Sequence, residues 1–351
     1  MNFWTRRQFM QLSTAAAFQL MTGCSPKDMI MDGKPPHHLT TGFRNYPIAP
    51  KPQTPGLSFL LRRIKELNGK PEIPRDHVIE TSLALTALKQ YSTDSAITWI
   101  GHSTYLLRLE NRHFLLDPFF SNLASPLPFG PERFVPPGIA LEQLPPIDGV
   151  VISHNHYDHL DAKTIEAFKG KERIAVFVPL GLKPFFTKRG YENVRELDWH
   201  QSAEMDGIQL TALPAVHFSG RGMGDRNETL WCSWAIQSAA GNIFFAGDTG
   251  YSPTLFKGIG QQFRGFDIAI VPIGAYDPAN VMQPVHTNPE EAIQMANDVK
   301  ADLIIPSHWG TIILTDEPPF EPLERYRAYA NKNGISDRRA GIMKIGETRI
   351  I

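Results

Sequence analysis

The sequence predicts an α/β (α+β) domain of mixed β-sheets covered by helices. Three observations carry that expectation. From residue 97 onward, short apolar runs of strand length recur along the chain. Fewer segments of helical period stand between them. The first runs follow one another so closely that only hairpins join them, which makes the sheets mixed rather than wholly parallel. With 351 residues, 42% of them hydrophobic and 20% charged, the chain is long enough for one large domain or two small ones around an ordinary core.

Taken in order, the chain opens with "MNFWTRRQFMQLSTAAAFQLMTGCSPKD". Arg6 and Arg7 are adjacent, Phe9 stands two residues beyond, and a moderately apolar run follows. Residues 1–24 resemble a twin-arginine export signal, an address read before cleavage. The "TGC" ending resembles a lipoprotein cleavage box and implies lipidation of Cys24, hence a chain exported to the periplasmic side and held at a membrane. Residues 25–95 read as a linker and an amphipathic segment. The Pro-, Lys- and polar-rich stretch 25–54 predicts an extended linker. In "GLSFLLRRIKEL", Leu57, Leu60, Leu61, Ile64 and Leu67 fall at helical spacing with Arg62, Arg63 and Lys65 elsewhere. That is a short basic helix, packing on its own domain or lying on a membrane surface.

Residues 96–351 predict the folded domain. Strands are expected at "AITWIG", "TYLLRLE", "HFLLDP", "GVVISH", "IAVFVP", "IQLTALPAVH", "WCSWAIQ", "NIFFAGD", "IAIVPIG" and "LIIPSH". Helices are expected at "DAKTIEAFKG", "PLGLKPFFTKRG" and "TNPEEAIQMANDVKA", the last capped by Thr287 with Pro289 in its first turn. Phe185 and Phe186 read as core.

The formal net charge of −1 and the absence of a long Lys/Arg run argue against nucleic-acid binding. The two cysteines, Cys24 and Cys232, exclude a disulfide framework and a Cys-rich zinc site. Cys232, in an apolar run, reads as a buried small hydrophobe. Past the N-terminus no apolar stretch reaches the ~18 residues that a membrane-spanning helix needs.

The chemistry concentrates in "VVISHNHYDHLD". His154, His156, Asp158, His159 and Asp161 follow an apolar run directly. Imidazole nitrogen and carboxylate oxygen are zinc donors, and His154 and His156 point the same way on an extended chain. His217, Asp248 and His308 also stand at predicted strand ends. One such histidine is usually a loop residue; three beside a four-donor cluster indicate a metal centre.

"HNHYDH", with the later His217, "GDTG" and "SHWGT", resembles the metallo-β-lactamase superfamily. The resemblance implies an αββα sandwich, two mixed sheets back to back with helices outside. It implies two zinc ions per chain, one on His154, His156, His217 and Asp248, the other on Asp158, His159, Asp248 and His308. Asp248 bridges, Asp158 takes a catalytic part as well, and a water or hydroxide occupies the shared position. In such pairs, roughly 3.5–4 Å apart, the ions activate water and clamp reacting oxygens. His102 and Asp117 recur near the site, His102 on the substrate side.

The stretch "SPLPFGPERFVPPGIALEQLPPIDGVVISHNHYDHLD", with "VPLGLKPFF", "GYENVRELDW", "LWCSWAIQ", "FFAGDTGYSP", "FDIAIVPIGAYDP" and "HTNPEEA", is similar to the N-acylphosphatidylethanolamine-hydrolysing phospholipase D family, from about residue 97 to near residue 350. That implies hydrolysis of a phospholipid at a membrane surface to N-acylethanolamine and phosphatidic acid. His286 then contacts the phosphate or donates a proton to the leaving oxygen, and Tyr276 lines the same pocket. The alternative is a dinuclear-zinc lactonase or ester hydrolase of the same fold. A β-lactamase proper fits less well, since the second site here has His159 and no Cys ligand.

Overall fold

A computed structural model describes residues 33–50, 53, 71–222 and 224–351. Export signal, Cys24 and the amphipathic segment at residues 57–67 lie outside the described residues.

Strands β1 (His38–Leu39) and β2 (Gly42–Phe43) form a hairpin ahead of helix α1 (Thr81–Gln90). The first large sheet takes β3 (Ala96–Gly101), β4 (Thr104–Leu109), β5 (Arg112–Leu116), β6 (Gly149–Val151), β7 (Ala175–Pro179), β8 (Val194–Leu197) and the final strand β15 (Thr348–Ile350), in the order β15-β3-β4-β5-β6-β7-β8. The second takes β9 (Ser202–Met205), β10 (Ile208–Leu213), β11 (Ser233–Ser238), β12 (Gly241–Phe245), β13 (Phe266–Pro272) and β14 (Ala301–Ser307), in the order β14-β13-β12-β11-β10-β9. Each sheet is part antiparallel and part parallel: β5 to β8 and β12 to β14 run parallel. The expected mixed sheets are present, and all ten strand-like runs contain a strand.

Alternation explains the layers. Ile97, Trp99, Tyr105, Leu107, Phe114, Leu116, Val151 and Phe177 face the second sheet in one cluster with Trp234, Ile243 and Phe245. Their neighbours Leu106, Leu115, Val150, Val176 and Val178 face outward, packing with Ala84 of α1 and with Ile165 and Phe186. Period-two burial on both faces is what a sheet covered on both sides requires. Trp99, Tyr105, Phe114, Trp234 and Phe245 are fully buried; each large apolar side chain removed from water contributes about 1.5–3 kcal/mol.

Helices α2 (Ala162–Ala167) and α3 (Lys183–Thr187) follow β6 and β7. Helices α4 (Pro253–Gln262), α5 (Ala279–Met282), α6 (Pro289–Asp298) and α7 (Glu321–Lys332) accompany the second sheet. Phe186 is core, while Phe185 is only partly buried. The cap of α6 is Asn288, not Thr287. Asn288 accepts from the Glu291 backbone N–H at 2.8 Å, and the Glu291 carboxylate reaches back to the Asn288 N–H. The Thr287 hydroxyl donates instead to Pro272 O, tying the loop to β13.

The expected linker is another departure. His37 is buried and residues 38–43 pair as a hairpin against the domain. Val78 bridges to Ile345, so the stretch before residue 96 is partly built into the fold.

Candidate metal centre

Six donor-bearing loops meet at one rim. They follow β3 (His102), β6 (residues 154–159), β10 (His217), β12 (Asp248), β13 (His286) and β14 (His308). The carboxyl ends of parallel strands are where open α/β sheets place their sites. After β6 the chain turns, with His159 N and Leu160 N both donating to His156 O. Arg221 holds this turn from outside, donating to Asn155 O at 2.7 Å and Leu160 O at 2.6 Å. Asp161 is occupied elsewhere: it caps α2 by accepting from Lys163 N, and it accepts from Ser121 N.

The remaining donors fall into two groups. The ligand atoms of His154, His156, His217 and Asp248 lie within 4.8 Å of one another, as do those of His102, Asp158, His159 and His308. In the first group His154 Nε2 is 2.8 Å and His217 Nε2 3.2 Å from His156 Nδ1. Asp248 Oδ2 lies between the groups. It is 3.8 Å from both His154 Nε2 and His217 Nε2, and 3.2 Å from both His159 Nε2 and His308 Nε2. The structure thus brings all seven residues expected as ligands together.

Outer partners aim the rings. His159 Nδ1 donates to Asp117 Oδ2 at 2.7 Å, and His217 Nδ1 to Val285 O at 2.8 Å. His154 Nδ1 donates to Ser153 Oγ at 2.9 Å, whose hydroxyl donates in turn to Asp117 Oδ2. Each bond turns Nε2 inward, the atom that offers a lone pair to a metal when the ring is neutral. His102, Asp117 and His308 have φ of 54°, 39° and 62°. Such left-handed non-glycine residues store strain, and here all three stand at the cluster.

The electrostatics suit a cation. Burial, reinforced by neighbouring histidines, pushes His154 well below the usual imidazole value. Burial does the same to His217 and lowers His156 to about 4. These rings stay neutral at neutral pH, the form that binds a metal. Burial also lowers His308 and His159, but the carboxylates of Asp248 and Asp158 outweigh it, bringing His308 up to about 9 and His159 well above its ordinary value. Despite burial, those histidines hold Asp158 and Asp248 well below the carboxylate range. The donor set balances its two carboxylates only with positive charge. His159 Nε2, His308 Nε2 and Asp248 Oδ1 are buried without a hydrogen-bond partner. Native interiors rarely leave such atoms unsatisfied, and an ion would complete them.

The other expected residues divide. His102 Nε2 is 2.9 Å from Asp158 Oδ2, so it sits in the second donor group rather than merely near it. His286 is buried with Nδ1 3.9 Å from Asp248 Oδ2. Tyr276 stands apart from both donor groups: its hydroxyl donates to Glu321 at 2.9 Å under the Arg325 guanidinium, and it lines a cavity with Asp277, Gln283, Asn288 and Glu317. Cys232 is buried and its thiol pushed well up by burial. Sequence reasoning missed Ser153, Arg221 and Asn45, whose amide bonds the His217 backbone. Ser153 was findable as the residue between strand and first histidine; the other two carry no local signal.

The profile of the beta-lactamase superfamily domain matches residues 112–309. A Caenorhabditis elegans N-acyl-phosphatidylethanolamine-hydrolyzing phospholipase D 1 is 36% identical over 290 residues, covering 78% of this chain and 82% of that protein. The chain belongs to the metallo-β-lactamase superfamily, in the family of these phospholipases D. An uncharacterized Mycobacterium tuberculosis protein is 42% identical over 247 residues, covering 69% of this chain; the chain spans 65% of that relative's length, just under two thirds. Among solved structures, isothiocyanate hydrolase from Delia radicum gut bacteria superposes with a TM-score of 0.59 at 21% identity, over 73% of this chain and 99% of that one. That likeness bears out the fold of the family.

Proposed function

We propose that the chain is a two-zinc phosphodiesterase that hydrolyses N-acylphosphatidylethanolamine-type phospholipids to N-acylethanolamine and phosphatidic acid. One observation carries it: Asp248 Oδ2 stands 3.2–3.8 Å from four histidines of two adjoining donor groups, in a chain of the phospholipase family. His154, His156, His217 and Asp248 would hold one ion. Asp158, His159, Asp248 and His308 would hold the other, with His102 steadying Asp158. When bound, such a pair supplies Lewis acidity, lowering the pKa of water and offsetting phosphate charge.

The chain's own groups supply the rest. Asp117 and Ser153 fix the ring orientations of His159 and His154. His286, lowered to about 4 by burial, is neutral at neutral pH and presents Nδ1 as a hydrogen-bonding group to the phosphodiester. An arriving anion favours its protonated form, which can then release a proton to the leaving ethanolamine oxygen. The rim is at a membrane surface in this reading. The Arg6–Arg7 leader, Cys24 and the basic run at residues 57–67 support that placement on the periplasmic side. A single lipid chain anchors marginally, so the basic run adds the second contact. Among the described residues no helix is long and apolar enough to cross a membrane.

The test is product analysis with metal counting. The membrane fraction should release N-acylethanolamine and phosphatidic acid from the lipid in mixed micelles, and purified chain should carry two zincs. Asp248→Asn should lose activity by roughly three orders of magnitude or more and weaken both ions. Turnover of a lactone with no lipid cleavage would move the function to the ester-hydrolase alternative. Full zinc and full rate in Asp248→Asn would remove the bridging role.

A further inference from the structure

We propose that Asn45, on the strap that precedes the first sheet in the chain, is a positioning residue for His217 and hence for the ion on His154, His156, His217 and Asp248. The inference rests on the metal reading above.

β10 ends at Leu213, and the chain leaves the sheet before His217. The His217 backbone therefore needs a partner from outside the ladder. Asn45 is that partner: its Nδ2 donates to His217 O at 2.9 Å, and its Oδ1 accepts from His217 N at 3.0 Å. The same Oδ1 accepts from Trp231 Nε1 at 3.1 Å. A carboxamide offers donor and acceptor side by side; aspartate lacks the donor and alanine lacks both. With the backbone held by Asn45 and Nδ1 held by Val285 O, little freedom remains in where His217 Nε2 points.

The strap itself is fastened. His37 Nε2 and His38 Nε2 donate to the two oxygens of Asp198, each at 2.7 Å. The His37 ring stacks on Trp199 with centroids 4.1 Å apart. Phe43 N donates to Asn227 O at 2.8 Å. Carboxylate and imidazoles are mutual partners here, unlike the orphaned atoms of the metal centre, so this cluster works as a clasp. Asp198 follows β8 of the first sheet, whereas His217 and Trp231 flank strands of the second. The strap thus spans from one sheet to the other's donor loop. The family match spans residues 112–309, so Asn45 supports the site from outside the matched stretch.

The experiment uses the full chain with cobalt(II) in place of zinc, titrated against a chelator and followed by visible absorption. In Asn45→Ala one of the two ions should lose affinity by about 10–100-fold, the usual effect of removing an outer partner of a metal ligand. Its absorption band should change while the other ion keeps wild-type affinity. Asn45→Asp, which keeps the acceptor and loses the donor, should fall between. Arg44→Ala, which among the described residues removes a donation to Pro36 O, should leave both ions unchanged. Wild-type affinity and spectrum for both ions in Asn45→Ala would overturn the inference. So would parallel loss of both ions with a lowered unfolding temperature, the mark of a merely structural residue. A wild-type chain that takes up no cobalt would sink the metal reading and this inference together; with wild type loaded, the variants judge Asn45 alone.

Discussion

Asp248 Oδ2 meets His159 and His308 at 3.2 Å, His154 and His217 at 3.8 Å, and His286 at 3.9 Å. Of these five, His286 is the one not needed to fill either proposed donor set. His286→Ala should therefore keep two ions per chain while kcat falls roughly 100-fold or more, the range for a lost proton-transfer group. Metal analysis beside steady-state kinetics checks this, and loss of an ion would show that His286 is a ligand. Residues of this kind differ in legibility. His154 to His159 announce themselves because four donors share six positions. Asn45 could not be read from the sequence, since its partner lies 172 residues away and a lone asparagine in a Pro-rich stretch looks like any turn residue. Tyr276 stands beside motifs of the site in sequence, yet its hydroxyl is directed to Glu321. Sequence proximity did not translate into a shared cluster.

Among the elements, strands with unbroken apolar runs were plain, because strands buried on both faces leave no polar interruption. β8 "VREL", β9 "SAEM" and β15 "TRI" were missed, being short, partly exposed and polar. Helix α7 was missed too; only Pro322, Tyr326 and Ala330 of its twelve residues are buried, too sparse a stripe to stand out. The turn between β12 and the donor Asp248 depends on one glycine. Gly247 has φ of 59°, and a Cβ there would stand 2.5 Å from Ser153 Cβ. Gly247→Ala should destabilise the chain by roughly 1–3 kcal/mol and displace the Ser153 hydroxyl that supports His154. Thermal unfolding of the ion-free protein reads the first effect and chelator competition the second. An unchanged unfolding temperature would mean that the turn relaxes freely.

Across the whole molecule, the donor histidines tie stability to pH in two opposite ways when ions are withheld. His102, lowered to about 3, and His156 and His286, lowered to about 4, are neutral when folded. Below their ordinary value of 6.5 the unfolded chain binds protons that the folded chain refuses, so stability falls as pH falls. His308, raised to about 9, is charged when folded. Its contribution is fully present below 6.5 and is lost as pH rises through about 9. The unfolding temperature of the ion-free chain should therefore peak near pH 6.5, declining as pH falls below it and again as pH rises from about 6.5 to about 9. A monotonic profile would refute this account. Each donor group also draws on both sheets: His154 and His156 come from the first and His217 and Asp248 from the second, while His102, Asp158 and His159 from the first meet His308 from the second. Neither half of the sandwich owns a complete site. An ion held at this rim would therefore fasten one sheet to the other, so metal loading should raise the cost of separating the two halves of the sandwich.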